Sequence, residues 1–138
     1  MGSKICSCLF PLGGRIQMAE LREAHLRYLL AIYELSRSKP DVGIQAVAKA
    51  LNCSKASVTK MMANLMELNL LVRERYGKIY LTDTGFLLAK DLLRCVEIIQ
   101  ERLPAMGFDL TVEETADLVH TVVVNLPEHS RKRLAGRE

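Results

Sequence analysis

Between Ser54 and Lys60 the chain reads Ser-Lys-Ala-Ser-Val-Thr-Lys. Two ammonium groups and three hydroxyls within two helical turns suit a polyanion whose edges also exchange hydrogen bonds, which describes nucleic acid. On a helix, Lys55, Ser57, Thr59 and Lys60, with Ala56 between them, fall on an exposed face, and Ser54 stands at its start. Arg73, Arg75 and Lys78 follow within twenty residues. They are placed to hold a flanking phosphate backbone or minor groove. Segment 42–82 carries six basic against two acidic residues. The imbalance is wider than this segment: residues 1–82 hold twelve Lys/Arg against six Asp/Glu, and residues 83–138 hold seven against ten. A basic front and an acidic back imply a polyanion partner for the first and a different task for the second.

Other chemistry is poorly supplied. No glycine-rich phosphate loop and no nucleophile elbow occur, and His25, His120 and His129 have no evident Ser or Cys partner, so catalysis has no case. His25 reads as a surface or interface residue. The four cysteines show no paired metal-finger spacing and make no disulfide scaffold in 138 residues, which implies a reducing, cytoplasmic compartment. Cys6-Ser7-Cys8 could take a soft metal, but its setting reads as a flexible tail. At 49% apolar and 25% charged, the composition is that of one globular body. No run has the roughly 18 apolar residues of a membrane span.

Stepping along the chain, helical spacing starts near Ala19 and runs to Ser36, where Lys39-Pro40-Asp41 breaks it. Ile44 to Leu51 makes a second, two-turn helix, in which Ala48 is small enough for a close crossing. Asn52 tolerates the left-handed turn and Ser54 caps a third helix, expected over Lys55–Asn69. The apolar period then changes to two: Leu70–Arg75 and Lys78–Thr82 read as a hairpin turning at Tyr76-Gly77. Thr82 or Asp83 caps a long helix to about Leu103. Its apolar residues, from Phe86 and Leu87 to Ile99, are too many for one face, which predicts a partner on the second. After a break at Pro104–Asp109, Thr111-x-x-Glu114 is a capping box for a last long helix, stopped by Pro127.

The expected fold is therefore mainly α: a winged helix-turn-helix followed by a helical dimerisation domain. The expected bounds are a flexible tail at 1–18, the DNA-binding domain at 19–82, the dimerisation part at 83–127 and a basic tail at 128–138. The third helix would enter the major groove of duplex DNA.

The chain resembles the diphtheria-toxin-repressor and manganese-transport-regulator family of metal-dependent repressors. The residues that carry the resemblance are Tyr28-x-x-x-Ile32-Tyr33-Glu34-Leu35, Val47-Ala48-Lys49-Ala50-Leu51-Asn52-Cys53-Ser54, Ser57-Val58-Thr59-Lys60-Met61 and Leu81-Thr82-Asp83-Thr84-Gly85. It extends over about residues 20–126 and is similar to the short members, which lack an SH3-like domain. The resemblance implies a cytoplasmic homodimer that represses metal-uptake genes, with manganese or iron as activator.

The positions where the family keeps its metal ligands read otherwise. Aligned without gaps they hold Arg27 and Leu30 in the first helix, Val96 in the long helix, and Ala116, Val119 and His120 in the last. Only His120 could bind a cation, and a divalent ion wants about four to six donors. Substitute donors would have to come from Asp117, Cys95, Glu97 and Glu113. An arginine at 27 could itself replace the ion, pairing with Asp117 or Glu113. The expectation is DNA binding with no required metal. Two other readings stay open: a thiol-responsive regulator using Cys53, where a helix N-terminus and Lys55 favour thiolate, and a winged-helix module that contacts protein.

Overall fold

The computed structural model describes residues 22–136 apart from residue 76. The expected N-terminal tail, with Cys6 and Cys8, lies outside the described residues, as does the expected start of the first helix at Ala19. The chain forms two compact units, one of residues 24–93 and the other built on residues 94–136.

In the first unit, α1 (Glu23–Ser38), α2 (Ile44–Leu51) and α3 (Lys55–Glu67) precede a two-stranded antiparallel sheet. α1 buries His25, Leu26, Leu29, Ile32 and Tyr33. Those positions recur at i, i+4 and i+7, the face that a 3.6-residue period turns inward. His25 therefore lies inside the helix's apolar stripe at 9% exposure, which corrects the surface half of the expected surface or interface placement. It is four residues before Leu29, and helical geometry puts the two on one side.

α2 ends at Asn52 in the left-handed conformation, φ 52° and ψ 51°, with the Cys53 amide donating to the Ala48 carbonyl at 3.0 Å. Ser54 caps α3, its Oγ accepting from the Ser57 amide at 3.1 Å. α3 buries Val58, Met62 and Leu65 and stops two residues short of the expected Asn69. Asn69 adopts φ 59°, and the Leu70 amide donates to the Leu65 carbonyl at 3.0 Å, so the backbone turns away and satisfies the helix's last carbonyls.

The strands β1 (Leu71–Arg73) and β2 (Ile79–Leu81) are shorter than the periodicity suggested. Leu71 pairs with Leu81, Val72 with Tyr80 and Arg73 with Ile79. Leu71 and Ile79 face inward; Val72 and Tyr80 face out. Gly77 at φ 86° closes the turn, its amide donating to the Glu74 carbonyl at 3.0 Å, a conformation that suits a residue without Cβ. A third edge was not legible in the sequence: the Ile79 amide donates to the Val42 carbonyl at 2.7 Å, and Gly43 bridges Lys78.

α4 (Asp83–Arg102) begins in this unit and continues into the second. There a short 3-10 turn (Leu103–Met106) leads to α5 (Val112–Asn125). The capping box is complete: Thr111 Oγ1 accepts from the Glu114 amide at 3.1 Å, and the Thr111 amide donates to Glu114 Oε1 at 3.0 Å. These bonds hold the exposed Glu114 carboxyl below its ordinary range, the backbone amide of Thr111 being the larger cause. Pro127 forces Leu126 into extended backbone and stops α5. The segment anticipated as a basic tail then forms a further helix, α6 (Glu128–Leu134), with Arg131 buried. Pro127 serves as its N-cap, so one proline both stops a helix and starts the next. No described helix is long and apolar enough to cross a membrane.

Candidate nucleic-acid interface

α3 buries one stripe, leaving Lys55, Ala56, Ser57, Thr59 and Lys60 exposed on the opposite side. The two lysines flank a short run of small side chains, a surface that can approach base edges without steric obstruction. Two of its hydroxyls are already engaged. Ser54 Oγ accepts from the Ser57 amide and donates to Ser57 Oγ at 2.9 Å; Thr59 Oγ1 donates to the Lys55 carbonyl at 2.9 Å. Ser57 keeps its proton for an external acceptor, and Thr59 keeps lone pairs for an external donor. Ser54 holds the helix start in place.

Arg73 and Arg75 are exposed on the hairpin. Lys78, expected with the two arginines to hold a flanking backbone or minor groove, also has a partner within the chain: its Nζ lies 3.0 Å from Asp41 Oδ1. The Asp41 carboxylate, through the hydrogen bond first and its charge second, raises the Lys78 pKa. Lys78 thus tethers the hairpin to the segment before α2 while staying nearly half exposed.

What fixes the hairpin against α4 is the Thr82-Asp83-Thr84-Gly85 stretch. Thr82 Oγ1 donates to the Asn69 carbonyl at 2.7 Å and accepts from the Gly85 amide at 3.0 Å, and the Thr82 amide donates to the Leu70 carbonyl at 3.1 Å. Gly85 is buried so close to Leu70 that a Cβ there would stand 1.8 Å from the Leu70 carbonyl oxygen. Threonine and glycine three apart are what this crossing requires.

Sequence reasoning missed the contact between Tyr28 and Cys53. The phenol oxygen and the sulfur are 3.4 Å apart, joining α1 to the turn before α3. This bond, with partial burial next, pushes the Tyr28 pKa up to about 12. Tyr28 and Cys53 are 25 residues apart, and no local pattern relates them.

The second unit offers little to a metal ion. Val96 and Val119 are buried apolar side chains, and among the described residues no group of three or more His, Cys, Asp or Glu could hold an ion. The substitute donors are dispersed: Cys95 is fully buried with Sγ donating to the Arg131 carbonyl at 3.5 Å, and Glu97 lies 3.7 Å from Arg94. Glu113 and Asp117 are exposed on α5, and His120 is half-buried. Among the described residues, these donors do not form a set that fits a divalent cation.

Comparison with known proteins agrees with the segment this geometry singles out. Residues 20–79 match the family described as iron dependent repressor, N-terminal DNA binding domain. The HTH-type transcriptional regulator MntR of Shouchella clausii is 34% identical over 84 residues, 61% of this chain and 59% of its own length; MntR of Bacillus subtilis is 32% identical over 82 residues, 59% and 58%. The chain thus spans under two thirds of these relatives. The manganese regulator SloR is similar in fold, with TM-score 0.65 at 24% identity, over 81% of this chain and 52% of SloR. ScaR, solved with bound Zn2+, gives 0.59 at 26% over the same shares.

Proposed function

We propose that this chain is a member of the diphtheria-toxin-repressor and manganese-transport-regulator family and a cytoplasmic transcriptional repressor that binds duplex DNA as a homodimer. The carrying observation is the exposed face of α3, with Lys55, Ala56, Ser57, Thr59 and Lys60, beside a hairpin bearing Arg73 and Arg75. α3 enters the major groove. Lys60 reaches a guanine edge, Ala56 meets a thymine methyl, and Ser57 donates to a base or phosphate acceptor. The two arginines neutralise flanking phosphates, and Lys78 keeps the hairpin in place as well as adding charge. On α4, Phe86 and Leu87 remain 41% and 46% exposed, apolar surface that a second copy would cover. A homodimer reads two half-sites about one helical turn, or a multiple of it, apart.

The experiment is capture and sequencing of genomic fragments, followed by titration of the recovered duplex at several salt concentrations. Log affinity should fall linearly with log salt. Binding to no duplex, at any salt, would leave a protein-contact module as the reading.

Binding to DNA requires no metal in this proposal. The relatives include regulators named for manganese, but the residues at the family's ligand positions here are an arginine, a leucine, two valines, an alanine and one histidine. Arg27 supplies a permanent positive charge where the family has a ligand. The chelator-treated protein is expected to bind its duplex as well as the untreated one.

A further inference from the structure

We propose that Tyr28 is a positioning residue for DNA recognition, acting through its contact with Cys53 to hold the base-reading end of α3; this rests on the DNA-binding reading above. Cys53 directly precedes Ser54, the cap of α3, and Lys55, Ala56 and Ser57 follow at once. A displacement at residue 53 therefore passes straight to the groups that face bases.

The turn is held on two sides by backbone. The Cys53 amide donates to the Ala48 carbonyl of α2, and the Ser57 amide closes on Ser54 Oγ of α3. Both are local bonds within the α2–turn–α3 segment, and neither ties the turn itself to α1. Tyr28 adds an anchor from α1, 25 residues earlier, on a helix that buries Leu26, Leu29 and Ile32 at 0% exposure. A half-buried phenol on that rigid helix fixes the turn relative to the core. The demand is strict, because productive base contacts tolerate only about 0.5 Å of misplacement. Without the anchor, the share of molecules whose α3 is correctly placed falls, and apparent affinity falls by the same factor. Contacts to phosphates, which follow charge, lose far less.

The test uses the full chain and four variants: Tyr28→Phe, Cys53→Ala, the double variant and Cys53→Ser. Each is titrated against the captured genomic duplex and a random duplex, and amide exchange is followed at Ser57. For a bond of ordinary strength, Tyr28→Phe and Cys53→Ala are each expected to weaken specific binding about fivefold, with the random duplex changed by less than about twofold. The double variant should be no worse than either single one, because both remove the same contact. Cys53→Ser, whose hydroxyl can still meet the phenol after a small shift, should bind better than Cys53→Ala. The Ser57 amide should exchange faster in both single variants.

Losses that multiply in the double variant, equal losses on both duplexes, or a Cys53→Ser variant no better than Cys53→Ala would each overturn the proposal. If the unaltered protein binds no duplex, the DNA-binding reading fails by itself. Ser57 exchange then decides the anchor: an unchanged rate in Tyr28→Phe overturns it, and a faster rate retains the link to α3.

Discussion

Adding one methyl at Gly85 gives opposite expectations from local and tertiary structure. Gly85 sits within α4, where replacing glycine by alanine should stabilise the helix by about 1 kcal/mol on propensity alone. Its backbone, however, lies against Leu70: an added Cβ would be 1.8 Å from the carbonyl oxygen, 2.8 Å from the carbonyl carbon and 3.1 Å from Cα. An ordinary carbon–oxygen contact is about 3.3–3.6 Å, so the two backbones must part by about 1.5 Å. The obstructing atom is a carbonyl that accepts the Thr82 amide, so it cannot swing aside as a side chain would. Overpacking of this kind costs about 1–3 kcal/mol, and the upper end applies because backbone must move. Weakening the Thr82–Leu70 bond adds about 1 kcal/mol. Subtracting the propensity gain leaves Gly85→Ala destabilised by about 3 kcal/mol, which for a chain of this size lowers Tm by about 10 °C. Urea unfolding followed by far-ultraviolet circular dichroism is the assay. A Gly85→Ala protein as stable as the unaltered chain, or more so, would refute the packing argument and leave propensity in command.

Other outcomes follow from the interface and the caps. Lys60→Ala should lose about 1–3 kcal/mol on the specific duplex and relax sequence preference, whereas Arg75→Ala should weaken all duplexes alike and lower the salt slope by about one; equal effects in binding titrations would contradict the assigned docking. Thr111→Ala should destabilise the chain by about 1 kcal/mol through loss of the α5 cap, read by thermal melting. Because the folded-state pKa of Glu114 is lowered, its contribution is present above the ordinary glutamate range and is lost as pH falls through the lowered value. The stability difference between the unaltered chain and Glu114→Gln should therefore shrink on acidification, which melts at neutral and acid pH would show. Calorimetry of chelator-treated protein with Mn²⁺, Zn²⁺ and Fe²⁺ should show weak, unselective binding; one tight site per chain would overturn the metal-independent reading.

Sequence reasoning reached those features whose cause is local. Asn52 at a left-handed turn, Ser54 as a cap, Thr111 with Glu114, and Pro127 as a stop each act on backbone within a few residues, so type and spacing suffice to place them. The alternation of apolar and polar residues likewise marked the hairpin, since Leu71 and Ile79 face inward wherever the sheet packs. Tertiary structure decided what depends on residues far apart in the chain. The strand-like edge at Val42, the Asp41–Lys78 pair and the Tyr28–Cys53 contact all join separated segments, and no local preference encodes them. His25 and Arg131 carry ionisable groups that composition assigns to the surface, yet both are buried. Gly85 shows the division within one residue. The Thr-x-x-Gly pattern could be recognised, but its reason is the Leu70 carbonyl, which occupies the space a side chain would need only once the hairpin has folded back.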